Sequence, residues 1–314
     1  MKPIHYIAFL LISVTLLSCE SKKSDESKLG FTDYNFIVAN DLGRNGFYDQ
    51  KTIAASMGQF AHNHDIEFVA AAGDIHHFNG VASVNDPLWM TNFELIYAHP
   101  ELMLDWYAIL GNHEYRGNTQ ACLDYSKISR RWIMPSRYYT MVKEIDDSTT
   151  MRLVFIDTAP LIEKYRNESE DYPDACKQDD VAQLQFIDSV LAVSKETWKV
   201  VIGHHPVYAY TKKDESERQD MQKRVDPLLR KHKVDFYFNG HIHNFQHIKM
   251  SDSPVDYITN SSASLSRKVE KTEGTQFCSE LSGFAVCSVS NANFTVNFMD
   301  KNGNSIYTYT RTNQ

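Results

Sequence analysis

Five short polar clusters hold the side chains in this sequence that are best suited to metal chemistry. They contain Asp, Asn and His, which supply the oxygen and nitrogen ligands that hard and borderline metal ions bind. The clusters are Asp41-Leu42-Gly43, Gly73-Asp74-Ile75-His76-His77, Gly111-Asn112-His113-Glu114, Gly203-His204-His205-Pro206 and Gly240-His241-Ile242-His243. The last four hold more than half of the 13 histidines in the chain, so the pattern predicts a metal centre rather than scattered surface histidines.

Each cluster follows a short apolar run that is typical of a β-strand. Strands are predicted at residues 35–39, 67–72, 106–110, 152–156, 199–202, 235–238 and 257–259, and helices at 50–60, 181–193 and 221–231. Residues 284–288, 294–298 and 306–310 look like hairpin strands without helices between them. A strand that runs into Gly can turn sharply and project the next side chain into a crevice at the carboxyl edge of the sheet. The sequence therefore predicts an α/β layered core that ends in an antiparallel section.

The composition limits the class of protein and the kind of ligand. Of 314 residues, 42% are hydrophobic and 23% charged, which is normal for a soluble globular domain and excludes a multi-span membrane protein. The net charge of −8 argues against a nucleic-acid-binding surface. An anionic ligand therefore needs a local positive site, which metal ions would provide.

The first 30 residues are not expected to belong to the fold. Residues 3–18 are uncharged and mostly apolar, and are too short to span a bilayer, which is typical of a signal peptide. The ending Leu16-Leu17-Ser18-Cys19 resembles a bacterial lipobox, which implies cleavage before Cys19 and lipidation of its thiol; an ordinary secretory signal is the alternative. The expected organisation is a signal peptide at 1–18, a polar tether at 19–30 and one catalytic domain at 31–314. Both alternatives place the mature chain outside the cytoplasm, and a lipid anchor would hold it in the envelope, in the periplasm or at the outer membrane.

Four cysteines remain if Cys19 is lipidated. In an oxidising compartment Cys122, Cys176, Cys278 and Cys287 allow three disulfide pairings. Cys278 and Cys287 are the first candidate pair because they are close in sequence, and buried thiols are the alternative.

The order of the five clusters resembles the calcineurin-like metallophosphoesterases, and within them the small purple acid phosphatases of the tartrate-resistant type. The segments Tyr125-Ser126-Lys127-Ile128-Ser129-Arg130-Arg131-Trp132, Pro135-Ser136 and Tyr138-Tyr139 also resemble that subgroup. The resemblance covers residues 31–310 and implies a central β-sandwich of two mixed sheets flanked by helices. It further implies a dinuclear phosphomonoesterase that uses a metal-bound hydroxide. A phosphodiesterase or nucleotide hydrolase on the same site, and a non-catalytic metal- or phosphate-binding lipoprotein, are the alternatives.

The same resemblance implies a role for each candidate residue. Asp74 would bridge two ions about 3.5–4 Å apart. Asp41 and His243 would bind the first ion, and Asn112, His204 and His241 the second. His113 would stabilise the transition state or protonate the leaving group. The ions are expected to be iron paired with iron, zinc or manganese, and the protein is expected to be a monomer that acts on a phosphorylated small molecule.

One candidate ligand departs from the family. The purple enzymes have a Tyr ligand three residues after the bridging Asp, and this chain has His77 there. Because a neutral imidazole replaces a phenolate, the change favours a divalent pair and predicts an enzyme that is not purple. Gly43 also leaves empty a position where many other metallophosphoesterases have a histidine.

Further residues near the clusters have candidate roles. Glu114 would either orient His113 or be a solvated acid. His205 replaces a Tyr common in the family and would line the pocket. Lys212 or Lys213, in the charged segment 210–218, would contact the substrate phosphate or lie in a solvated loop.

Overall fold

The computed structural model describes residues 31–32, 34–213 and 215–313, so the expected signal peptide and tether lie outside the described residues. The strands are β1 (Tyr34–Ala39), β2 (Phe68–Ala72), β3 (Asp105–Ile109), β4 (Trp132–Ile133), β5 (Tyr139–Asp146), β6 (Thr149–Phe155), β7 (Trp198–Ile202), β8 (Phe236–Asn239), β9 (Phe245–Ile248), β10 (Asp256–Thr259), β11 (Thr275–Ser279), β12 (Gly283–Val289), β13 (Asn293–Asp300) and β14 (Ser305–Thr312). The α-helices are α1 (Gln50–Asn63), α2 (Thr119–Asp124), α3 (Glu163–Asn167), α4 (Asp180–Val193), α5 (Glu215–Arg224) and α6 (Asp226–Lys231).

The strands form two mixed sheets of seven strands each. The first sheet has the order β14-β13-β12-β1-β2-β3-β4, with β1 to β4 parallel and β12 to β14 an antiparallel meander. The second has the order β11-β9-β10-β8-β7-β6-β5, in which β6, β7, β8 and β10 are parallel. Parallel neighbours end at the same edge, so both sheets present several carboxyl ends to one side of the molecule.

The two faces of each central strand are both buried. Phe36 and Val38 of β1 belong to the core between the sheets, where they meet residues such as Phe155 of β6. The alternating residues Ile37 and Ala39 belong to a second core that includes the helices. Burial on both faces explains why these strands are continuous apolar runs in the sequence.

The predicted fold is confirmed, with differences at the less apolar elements. The predicted helix at 221–231 is two helices, α5 and α6, because Pro227 lies in the first turn of α6, where its missing N–H is tolerated. Strands β4, β5, β9 and β11 were not predicted. β5 alternates half-buried and exposed residues, and β9 contains the polar pair Gln246 and His247.

The candidate disulfide is absent from the described part of the chain. Cys122, Cys176, Cys278 and Cys287 are all free thiols. Cys287 lies in β12 of the first sheet, buried between the sheets, whereas Cys278 lies in β11 of the second sheet. The proximity of the two residues in sequence is therefore misleading. Within the described ranges, no helix combines the length and apolar character needed to cross a bilayer.

Candidate metal centre

The candidate ligands meet at the carboxyl ends of both sheets. Asp41 follows β1, Asp74 follows β2 and Asn112 follows β3 in the first sheet. His204 follows β7, and the loop after β8 carries His241 and His243, in the second sheet. The centre therefore depends on the packing of one sheet against the other.

Two buried carboxylates organise the centre. The Oδ2 atom of Asp74 lies 3.1 Å from Nε2 of His204 and 3.4 Å from Nε2 of His77. The Oδ1 atom of Asp41 lies 2.9 Å from Nε2 of His243 and 4.0 Å from Nε2 of His77. The His77 imidazole thus faces both carboxylates, in the position where the resemblance implies a ligand.

Several of these atoms are buried without a hydrogen-bond partner among the described residues. They are Asp41 Oδ1, His77 Nε2, Asn112 Oδ1 and His204 Nε2. Buried polar atoms are rarely left unpaired, because the loss of hydration is not compensated. Four such atoms, all of metal-ligating types and all in one centre, fit a site that holds metal ions.

The second ring nitrogen of three histidines is fixed by a backbone carbonyl. Nδ1 bonds to a carbonyl oxygen in each case: His77 to Gly43 (3.1 Å), His204 to Ala72 (2.9 Å) and His243 to Leu265 (3.0 Å). A ring that donates from Nδ1 keeps the lone pair on Nε2, so all three rings present Nε2 as the ligand atom.

The His241 ring is held through its other nitrogen, Nε2. Its Nε2 bonds to Oε2 of Glu217 at 2.8 Å, which leaves Nδ1 as the ligand atom. Glu217 lies in α5 and also accepts hydrogen bonds from Tyr165 Oη (2.9 Å) and Lys164 Nζ (2.8 Å). Burial raises its pKa, but the bond from His241 outweighs this and holds the pKa of Glu217 well below its usual range. Sequence reasoning missed Glu217, which is one of several acids in a charged segment.

Lys213 lies at the metal centre. Its ammonium donates to the backbone oxygen of His241 at 2.7 Å and lies 3.2 Å from Nδ1 of the same residue. Burial lowers the pKa of Lys213 to about 8. Lys212 is exposed. The solvated-loop interpretation is therefore wrong for Lys213 and right for Lys212.

His113 stands at the mouth of the centre. Its Nδ1 bonds to the carbonyl of Phe78, and its Nε2 lies 3.9 Å from Oδ2 of Asp74. The side chain keeps 16% of its surface exposed. Burial lowers the pKa of His113 to about 4. The ring is thus oriented with Nε2 towards the site and remains accessible to a substrate.

Glu114 neither orients His113 nor lies in solvent, so both interpretations from the sequence are wrong. It is buried and accepts hydrogen bonds from the backbone N–H groups of Asp74 (2.9 Å), His76 (2.9 Å) and Gly111 (2.7 Å). Burial and the Asp74 carboxylate raise the pKa of Glu114 to about 7. Its role is to join the loop after β2 to the loop after β3.

His205 and His76 are not available as ligands. Both ring nitrogens of His205 are engaged, with Thr158 Oγ1 at 2.7 Å and Tyr165 Oη at 3.0 Å, although the ring lies near His204 and His241. His76 packs edge-on against Trp89, with ring centroids 4.6 Å apart. Burial lowers the pKa of His76 to about 3, so it is a neutral core residue.

The backbone at the ligands is unusual. Asp41, Asp74, His241 and His243 all have positive φ, between 51° and 70°. Non-glycine residues rarely adopt this conformation, and it persists only where surrounding contacts enforce it. Two glycines allow the close approach: a Cβ at Gly43 would lie 1.8 Å from the carbonyl oxygen of Ile75, and one at Gly111 would lie 2.2 Å from Oδ1 of Asp74.

The buried residues Asp74 and His204 change each other's pKa. Burial alone would raise the pKa of Asp74, but the neighbouring His204 holds it well below its usual range. Burial would lower the pKa of His204, but Asp74 raises it to about 9. The carboxylate is therefore ionised, and a cation bound at Nε2 of His204 would replace the ring proton that otherwise stabilises it.

Comparison with known proteins identifies relatives across nearly the whole chain. The family profile described as calcineurin-like phosphoesterase matches residues 34–245. Purple acid phosphatase 4 of Arabidopsis thaliana is 32% identical over 312 residues, which cover 96% of this chain and 90% of that protein. Human tartrate-resistant acid phosphatase type 5 is 28% identical over 257 residues, covering 77% of this chain and 78% of that protein.

A solved structure shares the same fold. GAP50, described as the anchor in the inner membrane complex of Plasmodium, superposes with a TM-score of 0.78. The match covers 90% of this chain and 89% of that chain, at 24% sequence identity.

Proposed function

This chain belongs to the calcineurin-like phosphoesterase family and is a dinuclear-metal phosphoester hydrolase, and we propose that its reaction is acid-phosphatase-like hydrolysis of phosphomonoesters. The observation that carries the proposal is the group of unpartnered ligand atoms on Asp41, His77, Asn112 and His204 around the Asp74 carboxylate. This group offers oxygen and nitrogen ligands to two ions, as the family requires.

The ligand set divides between the two ions according to the geometry of the chain. Asp41, His77 and His243 form one group of ligand atoms, and Asp41, Asp74 and His204 form another. We assign Asp74 to both ions, and Asn112 and Nδ1 of His241 would bind the second ion together with His204. When bound, two ions supply Lewis acidity to the phosphate oxygens and lower the pKa of the attacking water.

The protein supplies the proton for the leaving group through His113. In hydrolysis the water oxygen forms a bond to phosphorus, the bond from phosphorus to the ester oxygen breaks, and that oxygen takes a proton to leave as an alcohol. Because Nδ1 of His113 donates to the Phe78 carbonyl, Nε2 carries a proton only when the ring is positively charged. Protonation of the leaving group is therefore favoured at acidic pH.

Hydrolysis of 4-nitrophenyl phosphate and bis(4-nitrophenyl) phosphate, with metal analysis of the same sample, tests the proposal. A monoesterase is expected to turn over the monoester faster by at least an order of magnitude, with about two ions bound. Faster turnover of the diester would instead support the phosphodiesterase alternative. No turnover of either ester by the metal-loaded protein would contradict the proposal.

His113→Ala tests the proton-transfer role. We expect kcat to fall by about 10²–10⁴-fold while the metal content stays at the wild-type value, because His113 donates a proton and binds no ion. His62→Ala, which changes an exposed histidine in α1, is the matched control. Loss of metal together with activity would show that His113 acts as a ligand instead.

The metal identity, oligomeric state and location form further parts of the proposal. We propose iron paired with iron, zinc or manganese, and a monomer that is held outside the cytoplasm, in the periplasm or at the outer membrane, through lipidated Cys19, with residues 31–314 as the catalytic domain. The support is the set of nitrogen and oxygen ligands and the Leu16 to Cys19 motif. Partition of the expressed protein into detergent, abolished by Cys19→Ala, would support the anchor, and partition unchanged by that variant would contradict it.

A further inference from the structure

Three aromatic side chains line a cavity beside the metal centre. Phe47, Tyr48 and Phe78 are 68%, 64% and 67% exposed. They surround a cavity of about 390 Å³ together with Arg44, Asn45 and His77. Exposed aromatic residues grouped at one cavity are typical of ligand-binding sites. Phe47, Tyr48 and Phe78 are called the aromatic platform below.

The aromatic platform lies beside His113, the residue that protonates the leaving group in the proposed function. The carbonyl of Phe78 holds the His113 ring, and the rings of these two residues are 6.2 Å apart. The His77 ring, which forms part of the cavity wall, lies 4.2 Å from the His113 ring. A group in the cavity would therefore be directly beside the residue that protonates the ester oxygen.

The loop that carries two of these rings is fixed in place. Tyr48 has a φ of 56°, which a bulky residue adopts only where its surroundings enforce it. The backbone N–H groups of Arg44 and Gly46 both donate to Oε1 of Gln50, at 3.0 and 2.7 Å. The N–H of Asn45 donates to Oδ1 of Asn92 at 2.6 Å. These bonds hold the platform in position without a ligand.

A buried arginine adds positive charge to the same wall. Arg44 is almost fully buried, and its guanidinium carbon lies 4.9 Å from the centre of the Phe78 ring. Its Nε is buried without a hydrogen-bond partner among the described residues. A planar aromatic ring in the cavity would stack on aromatic side chains and lie close to a cation, and both contacts are favourable for a π-system.

We propose that the aromatic platform is a leaving-group subsite that selects phosphomonoesters whose leaving group is an aromatic ring attached directly to the ester oxygen. Direct attachment follows from the short distance between the cavity and the centre. His77, which forms part of the cavity wall, lies 3.4 Å from Oδ2 of Asp74, and its ring lies 4.2 Å from that of His113. The proposal rests on the proposed function, in which the group beside His113 is the leaving group.

Binding of two phosphonates to the metal-loaded protein tests the subsite without catalysis. Phenylphosphonate and methylphosphonate share the anionic group and differ in the ring, and neither is hydrolysed. We expect calorimetry to give an affinity about tenfold higher for phenylphosphonate, since a buried ring adds apolar and stacking contacts. Equal affinities in the wild-type protein would overturn the proposal whatever the variants do.

Variants of the aromatic platform test whether its side chains cause the preference for phenylphosphonate. In the double variant Phe47→Ser, Tyr48→Asn, and separately in Phe78→Leu, the affinity ratio is expected to fall to about twofold or less. Asn tolerates the positive φ at position 48. Ile128→Ser, at a side chain that is 61% exposed and lines a different cavity, should keep the wild-type ratio. A ratio that survives both platform variants would also overturn the proposal.

Two further measurements separate this inference from the proposed function. If the protein binds phenylphosphonate more tightly than methylphosphonate but hydrolyses no ester, the subsite is supported and the proposed function is contradicted. If the protein hydrolyses 1-naphthyl phosphate and glycerol 2-phosphate with equal kcat/KM, the proposed function is supported and the subsite is contradicted. Adenosine 5′-monophosphate has a ribose between its ring and its phosphate. If the platform variants lose as much affinity for it as for phenylphosphonate, the subsite accepts a nucleotide and direct attachment is wrong.

Discussion

His77 stands where the resemblance to the purple acid phosphatases implies a Tyr ligand, and its surroundings suit an imidazole. Its Nδ1 bonds to the carbonyl of Gly43, and its Nε2 faces Asp74 at 3.4 Å. No side chain can be present at position 43, because a Cβ there would collide with the carbonyl of Ile75. The imidazole on this side of the centre therefore comes from the second loop rather than the first.

His77→Tyr is expected to make the protein coloured. The iron-loaded wild-type protein should have no strong visible charge-transfer band, because an imidazole replaces the phenolate donor. The variant restores that donor and should gain the band at equal iron content. Absorbance spectra of both proteins, loaded with iron in parallel, provide the measurement. A strong band in the wild-type protein would contradict the prediction.

Glu217→Gln is expected to weaken the second metal position. The carboxylate fixes the His241 ring with Nδ1 towards the centre, and loss of such a partner typically lowers metal affinity by about 10–100-fold. Equilibrium dialysis should show about one tightly bound ion per chain where the wild-type protein binds about two. Glu215→Gln changes a side chain on the same helix that is 72% exposed, and should leave the titration unchanged. Identical titrations for all three proteins would show that Glu217 has no role in metal binding.

At the scale of elements, the centre depends on how the loops after β2 and β3 are joined. The buried carboxylate of Glu114 accepts backbone hydrogen bonds from both loops. The N–H of His113 donates to Oδ1 of Asp74 at 2.9 Å, which adds a direct bond between them. The Asp74 carboxylate is therefore positioned by a neighbouring backbone group, independently of any bound ion.

Gly111→Ala is expected to disrupt this junction without unfolding the sheets. The added methyl group would lie 2.2 Å from Oδ1 of Asp74, so the bridging carboxylate must move. We expect loss of most bound metal and of activity, with a far-ultraviolet circular dichroism spectrum like that of the wild-type protein. Gly303→Asn adds a side chain at a glycine with open space around it and should keep both metal and activity. Full metal content in Gly111→Ala would disprove the steric argument.

The strands that were predicted from the sequence are mainly those whose residues are apolar and buried. β1, β2, β7 and β8 are apolar runs buried on both faces, and each is followed by a cluster of polar residues that marks its end. β9 was not predicted because its buried polar residues depend on tertiary partners. Gln246 bonds to the backbone of Tyr210, and His247 bonds to Asp256.

The candidate site likewise has residues that the sequence predicts and residues whose roles depend on tertiary contacts. Its ligand types and their order are local properties of five clusters, and these could be read from the sequence. Glu217 could not, because its partner His241 is distant in sequence and nothing in the charged segment distinguishes it from its neighbours. The single role of Glu114 in joining two loops likewise depends on the packing of β2 against β3.

At the scale of the whole molecule, a buried ionic group joins the second sheet to the last strand of the first. Asp256 in β10 lies 2.8 Å from Nε2 of His247 in β9 and 2.7 Å from Nη1 of Arg311 in β14. Lys249 contributes a third contact at 3.2 Å. These contacts connect the C-terminal meander to the sheet that carries three of the candidate ligands.

Asp256→Asn is expected to destabilise the protein by about 2 kcal/mol at neutral pH, because it removes a buried carboxylate that accepts charge-assisted hydrogen bonds from the half-buried Arg311 and Lys249. Burial raises the pKa of Asp256, but the hydrogen bond from His247 and the charge of Lys249 hold it below its usual range. Its folded pKa is thus lower than its unfolded pKa, so its stabilisation is present above about pH 4 and is lost as the pH falls through the folded pKa.

Urea unfolding at several pH values provides the measurement for this prediction. The difference in unfolding free energy between Asp256→Asn and the wild-type protein should narrow as the pH falls below about 4. Asp252→Asn removes an acid that is 75% exposed and paired with Arg230, and should change stability by less than about 1 kcal/mol. A difference that does not vary with pH would show that the charge of Asp256 is not the source of its contribution.

The pairing of β1 with β12 also determines when the enzyme can become functional during its synthesis. β1 ends at the loop of Asp41, but its antiparallel neighbour β12 is made only after every other candidate ligand. The hydroxyl groups of Ser262 and Ser264, which bond to the carbonyl oxygen of Asp41 at 3.0 and 2.8 Å, are also made late. A nascent chain without these segments lacks the contacts that support the candidate ligand Asp41, so we expect the metal pair to bind only after β12 has been made.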